Sequence, residues 1–377
     1  MSTHQMQVLW VSGAPGTGKS TVGWGLFKEI AARGADVAYL DMDQLGLIGP
    51  PPGGGDASHR IKIENLLVQL SVLRSAGARR IIVSGVIDPD VGIEPHLAGH
   101  PLGNIADFRL VRLVCERDEL RRRFLGRGSP AGLLEQLMIL AEQLDRTAFG
   151  ASFDTTGQRP DETVDELLNQ FDVETDEAPV QEMKQSDMEP ASGGSVLVVT
   201  GATATGKSTA SWQLLQDLWK EGVSAAFVDI GQLRFSHPSP PVEVTAARTA
   251  ALWNSYKRAG AQVLIAVDRD ASVAANVSGS GPALFVELVA DSAALTDRIA
   301  RRAAGESPLL AGDEIRGVDG ERQSEILQSA VGEAERLRSA GRVVGTIVIE
   351  TSDQLPAQTA DAIRDVAILH IPELSRS

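Results

Sequence analysis

Short apolar runs occur along the chain in the same order twice. Residues 8–13 read VLWVSG and residues 196–201 read VLVVTG. Each is followed by about 14 residues with apolar positions at helical spacing, a Gly-containing turn and a second apolar run ending in aspartate. These second runs are VAYLD at 37–41 and AAFVD at 225–229. Continuous apolar runs bounded by turn residues predict buried strands. Strand, helix and strand in this order form a βαβ unit, which implies a parallel sheet and a right-handed crossover.

The match continues downstream. LRSAGARRIIVSG pairs with YKRAGAQVLIAVD, a helix end and a third strand. VRLVCERDELRRRFLGRG pairs with VELVADSAALTDRIARRA, a fourth strand and an Arg-bearing helix. ASFDTTGQRPDETVDELL pairs less closely with TIVIETSDQLPAQTADAI, a fifth strand, a turn and a closing helix. The expected architecture is α/β, with two tandem domains at 1–171 and 196–377, each a five-stranded parallel sheet flanked by helices. Between them, residues 172–195 carry seven acids, one lysine and two prolines. This composition predicts a flexible, solvated linker; a helical connector through APVQEMKQ is the competing reading.

The repeated loops bring in the chemistry. GAPGTGKST at 13–21 and GATATGKST at 201–209 both satisfy G-x-x-x-x-G-K-[ST]. Glycine lets the backbone approach a phosphate closely. Amide N–H groups then converge on phosphate oxygens at a helix N-terminus, whose dipole favours an anion. The expected phosphate cradle is Gly13, Pro15, Gly16, Thr17, Gly18, Lys19, Ser20 and Thr21. Its second copy is Gly201, Thr205, Gly206, Lys207, Ser208 and Thr209. Lys19 or Lys207 reaches the β/γ-phosphates, and the Ser20 or Ser208 hydroxyl is placed for Mg²⁺. A turn that no longer binds nucleotide is the alternative, weightier for the second loop.

Composition narrows the class. The formal charge of −15 argues against an extended nucleic-acid surface, which needs a basic stripe. The longest apolar runs fall short of a membrane span. The sole cysteine, Cys115, leaves no intramolecular disulfide or cysteine metal cluster. The N-terminal residues lack a signal-peptide pattern, so a cytoplasmic enzyme is expected.

The chain resembles the small P-loop kinases, the group of nucleoside-monophosphate, shikimate, gluconate and adenylylsulfate kinases. The resemblance covers nearly all of each half and rests on the glycine loops, on YLDMDQLG and on the arginine-bearing helix. It implies ATP and Mg²⁺ as cofactors and a small-molecule acceptor. It further implies that Asp41 supports the metal while Asp43 hydrogen-bonds the acceptor hydroxyl and takes its proton. Arg123 and Arg127, matched by Arg298 and Arg302, would begin a lid over the phosphates, with Arg127 the stronger candidate. A solvated helix face also accounts for these arginines. Residues 156–160 would border the base. His59, Arg60 and Lys62 are candidate grips for an anionic acceptor, although an exposed helix face explains them nearly as well. The GTPase motif N-K-x-D and the ABC signature are absent from the sequence.

The halves diverge at these positions. Asp41 aligns with Asp229, but Asp43 aligns with Gly231. Conversely, Gly85 aligns with Asp268, which with Ser208 and Asp229 becomes a candidate metal ligand. Catalysis is therefore expected mainly in the first half, as transfer of the ATP γ-phosphoryl group to a hydroxyl or phosphate acceptor. Alternatives are a nucleotide-gated regulatory or scaffold protein with slow hydrolysis, and a bifunctional tandem kinase. An intramolecular pseudo-dimer of the two halves is an open expectation.

Overall fold

The computed structural model describes residues 6–50, 55–90, 92, 106–147, 150–169, 193–269, 271–277, 281–306, 312–339 and 341–374. In the first half, β1 (Met6–Gly13) leads through the first glycine loop to α1 (Lys19–Ala32) and β2 (Val37–Asp41). Then follow the two-residue β3 (Ile48–Gly49), α2 (Gly55–Ser75), β4 (Arg80–Ser84) and β5 (Ala106–Val114). The half closes with α3 (Arg117–Gly126), α4 (Leu134–Arg146), β6 (Ala151–Asp154) and α5 (Pro160–Leu168).

The second half repeats this order. It runs β7 (Ser195–Thr200), α6 (Lys207–Lys220), β8 (Ala225–Asp229), the two-residue β9 (Ser236–His237) and α7 (Val242–Arg258). Next come β10 (Val263–Val267), a short α8 (Ser272–Val277), β11 (Ala283–Val289) and α9 (Ser292–Ala303). It ends with α10 (Gly320–Ser339), β12 (Ile347–Glu350) and α11 (Pro356–Ile368). Most of the segment expected to be a linker, 172–192, lies outside the described residues; Ser195, at its end, already belongs to β7.

The expectation of five strands per sheet needs correction. Each sheet has six, in the orders β6-β5-β1-β4-β2-β9 and β12-β11-β7-β10-β8-β3. Five strands of each are parallel and come from one half; the sixth is antiparallel and comes from the other. β9 pairs with β2, with Val37 opposite His237, and β3 pairs with β8, with Ile48 opposite Ala226. The exchanged strands cover edges that would otherwise present unpaired N–H and C=O groups.

Side chains secure the exchange. Phe235 lies against the first-half ring of Trp24, with centroids 4.6 Å apart, and near Tyr39 at 6.3 Å. Its carbonyl accepts the Tyr39 N–H at 2.9 Å, and Leu47 accepts the Phe227 N–H at 2.8 Å in the reciprocal contact. At Gly49 a Cβ would come within 2.7 Å of the Trp219 ring, so a side chain there would collide with the second half. α2 packs on α7, which is buried from Val244 to Tyr256. There the fully buried Arg248 donates from Nε to Gln69 Oε1 at 2.8 Å, and Gln69 Nε2 donates to the Arg248 carbonyl at 2.9 Å. One apolar cluster runs through both halves, from Trp10 and Leu66 to Leu252 and Trp253.

Candidate functional site

The first site forms where β1 and β2 end. Gly13 has φ +139°, and a Cβ there would stand 2.4 Å from the Leu113 carbonyl oxygen. Glycine is thus required for β1 to turn into the loop beside β5. Thr17 Oγ1 donates to the Ala14 carbonyl at 2.9 Å, and Lys19 Nζ donates to the same oxygen at 3.0 Å. The loop is therefore folded by its own polar groups, with α1 starting at Lys19.

The β2 aspartates face this loop. Ser20 Oγ donates to Asp41 Oδ2 at 3.2 Å, and the Asp43 N–H donates to Asp41 Oδ1 at 2.9 Å. Lys62 of α2 donates to Asp43 Oδ1 at 2.6 Å. Burial and then the neighbouring Asp43 push the Asp41 carboxyl up. Partial loss of solvent raises the Asp43 carboxyl, but Lys62, Lys19 and Arg127 outweigh it and hold the group below the usual carboxylate range. Burial pulls the Lys19 ammonium down to about 8, against the opposing pull of Asp43.

Thus Lys19, Ser20, Asp41, Asp43, Lys62 and Arg127 come together, though they are spread over more than 100 residues of sequence. Arg127 caps the end of α3, donates to Ser129 Oγ at 2.8 Å and acts electrostatically on Asp43. Arg60 does not join this group. It is largely exposed, 3.8 Å from Glu64 on the next turn of α2. His59 is half-buried at the start of the described α2 side chains.

Arg123 has a different place from Arg127. It donates to Thr155 Oγ1 at 3.0 Å and to the Thr155 carbonyl at 2.7 Å, tying α3 to the segment after β6. Arg298 does the same at Thr351 and also reaches the Ala204 and Thr205 carbonyls, at 3.3 and 3.2 Å. These arginines brace the segment after the fifth strand, and in the second half the glycine loop as well.

The second site repeats the core geometry with altered surroundings. Lys207 Nζ donates to the Ala202 carbonyl at 2.7 Å, Ser208 Oγ to Asp229 Oδ2 at 3.0 Å, and the Gly231 N–H to Asp229 Oδ1 at 3.0 Å. Burial brings Lys207 down to about 8. Gly231 supplies no carboxylate. Asp268 is buried, and both of its oxygens accept from the Arg234 guanidinium, with Oδ2 at 2.8 Å. A cleft of about 770 Å³ opens beside this loop, with Thr203, Arg298, Arg302 and Glu333 among its walls.

Glu333, from the middle of α10, escaped sequence reasoning. Its Oε2 accepts both the Thr203 N–H and the Thr203 hydroxyl, each at 2.8 Å. The one available sequence signal is that Thr203, with an N–H, stands where the first loop has Pro15, without one.

Oxygen donors dominate both sites, as a hard cation such as Mg²⁺ requires. Ser20 with Asp41, and Ser208 with Asp229, supply a hydroxyl and a carboxylate at hydrogen-bond distance. Among the described residues no cluster of three or more His, Cys, Asp or Glu forms a self-sufficient metal cage. The residues fit a cation that takes its remaining ligands from phosphate and water.

No family model matches the sequence, and no curated protein matches it. Solved structures of kinases match less than half of the chain. An unliganded sugar kinase from Janibacter sp. HTCC2649 is 17% identical over 45% of this chain and 96% of its own, with TM-score 0.34. A gluconokinase from Sinorhizobium meliloti 1021 is 20% identical over 44% and 91%, with TM-score 0.32. The APS kinase CysC of Mycobacterium tuberculosis, solved with AMPPNP and APS, is 18% identical over 44% and 96%, with TM-score 0.30. Among the described residues no helix is long and apolar enough to cross a membrane.

Proposed function

We propose that the protein is an ATP-dependent small-molecule kinase with its chemistry mainly in the first half. The carrying observation is the pair of β2-end carboxylates at the glycine loop, Asp41 on Ser20 and Asp43 on Lys62. Lys19 and the loop amides hold the triphosphate, and Arg127 adds positive charge where it spreads during transfer. Ser20 and Asp41 would hold Mg²⁺, which neutralises phosphate charge when bound. Asp43 orients the acceptor hydroxyl and takes its proton. The acceptor oxygen bonds the γ-phosphorus as the bond to the departing ADP oxygen breaks. Pairing with Lys62 keeps Asp43 ionised and so able to accept that proton. Lys62 at the lip suits an acceptor that carries negative charge.

We also infer that the halves arose by duplication and form an intramolecular pseudo-dimer. The matched strand orders and the reciprocal β3 and β9 pairings support this. Gly231 favours a regulatory, nucleotide-binding role for the second half over a second kinase reaction. The deciding experiment is ATP consumption by the full chain against nucleoside monophosphates, sugars, shikimate-like polyols and amino alcohols. Acceptor-dependent turnover that Lys19→Ala removes supports the kinase; slow acceptor-independent hydrolysis throughout supports the regulatory alternative.

A further inference from the structure

The second glycine loop already holds an anion, and that anion belongs to the chain. Glu333 Oε2 accepts the Thr203 N–H and hydroxyl at 2.8 Å, while Oε1 lies 3.6 Å from the Arg269 guanidinium. The side chain is largely buried. An apolar contact fixes it there, because Ile326 and Leu327 of α10 join a cluster with Ile299, Ile315 and the loop residue Ala204. Ala204 itself holds φ 65°, unusual for a residue with a Cβ. The Glu333 charge also acts on the buried Lys207 ammonium. In a P-loop, backbone amides and the lysine serve phosphate oxygens. A carboxylate fixed at Thr203, beside that cradle, presents charge of the same sign and the same kind of acceptor atom.

We propose that Glu333 is an internal phosphate mimic that gates the second nucleotide site, so that a nucleoside triphosphate enters only as α10 releases the loop. This rests on the reading that the glycine loops bind nucleotide. A triphosphate added beside Glu333 would meet like charge at the Thr203 donors. The device is specific to the second half: Pro15 has no N–H to offer a carboxylate, and the helix at the corresponding place, α4, has 13 residues against 20 in α10. Nucleotide at the second loop would thereby be read out as movement of α10. Such a response suits a regulatory domain better than a catalytic one.

The test is hydrogen–deuterium exchange of the full chain, titrated with AMPPNP and Mg²⁺. In the wild type, nucleotide should protect 201–209 and deprotect 320–339. Glu333→Gln keeps an acceptor oxygen but removes the charge, and Glu333→Ala removes both. Each should reach half-protection of 201–209 at roughly 10- to 100-fold lower nucleotide, the range expected for release of a hydrogen-bonded charge. Both should also show 320–339 loosened before nucleotide is added. Protection of 320–339 together with 201–209 would make Glu333 a closing clamp and overturn the proposal. So would unchanged or weakened binding in both variants. If 201–209 gains no protection in any of the three proteins, the gate is refuted; if 13–21 gains none either, the nucleotide reading falls with it.

Discussion

On the proposed reading, raising the pH from 7 to 9 should loosen nucleotide binding, because that binding would depend on lysines whose protons are held weakly. Burial brings both Lys19 and Lys207 down to about 8. Phosphate oxygens favour the charged ammonium, so binding raises the lysine pKa and selects the protonated protein. The sign follows. Below pH 8 the ammonium is already present and affinity is flat; above it, binding must first take up a proton. At pH 9 roughly a tenth of a group with pKa about 8 is protonated, so affinity should fall about tenfold, or about 1.4 kcal/mol. Near pH 8 about half a proton should be taken up per nucleotide bound. Isothermal titration calorimetry with AMPPNP and Mg²⁺, in buffers of different ionisation enthalpy, measures both quantities. The series starts at pH 7 because phosphate groups themselves titrate near pH 6. Lys19→Arg provides the control: a guanidinium stays charged throughout, so the pH dependence from the first site should vanish. Flat affinity from pH 7 to 9, with no buffer-dependent heat at pH 8, would refute the reasoning by showing that these lysines stay fully protonated or do not hold the phosphates.

Four further outcomes are expected. Lys19→Ala should abolish phosphoryl transfer whereas Lys207→Ala leaves a measurable fraction; steady-state rates decide, and the reverse pattern would move catalysis to the second half. Asp43→Asn should keep ATP binding but slow turnover by roughly 10²–10⁴-fold, while the defect of Asp41→Asn should ease as Mg²⁺ is raised; a Mg²⁺ titration of both variants separates the roles. Phe235→Ala should cost about 2 kcal/mol or more, since it empties space against Trp24, Phe27 and Tyr39, and denaturant melts of the full chain would reveal an unaffected interface. Cleavage between residues 172 and 195 should leave the halves together on gel filtration, held by the exchanged strands and α2 on α7; two separately eluting pieces would contradict that.

The sequence by itself carried the two glycine loops, the five parallel strands of each half and the asymmetry between Asp43 and Gly231. Those signals are local. A buried parallel strand must be a continuous apolar run, and a phosphate loop needs glycine and lysine at fixed spacing. Tertiary structure decided the rest. The sixth strand of each sheet is two residues long, too short for any periodicity, and its partner lies in the other half. Lys62 and Arg60 sit two residues apart on α2 and look alike as sequence, yet only Lys62 meets Asp43, because residues that far apart on a helix face different ways. Asp268, a candidate metal ligand by alignment, meets Arg234 with both its oxygens, a partner brought in by the turn after β8 that no local pattern in the sequence announces. Glu333 is one acid among many on a charged helix. Only the packing of α10 on the apolar cluster that also takes in Ala204 sets it apart, by placing its carboxylate on the Thr203 amide.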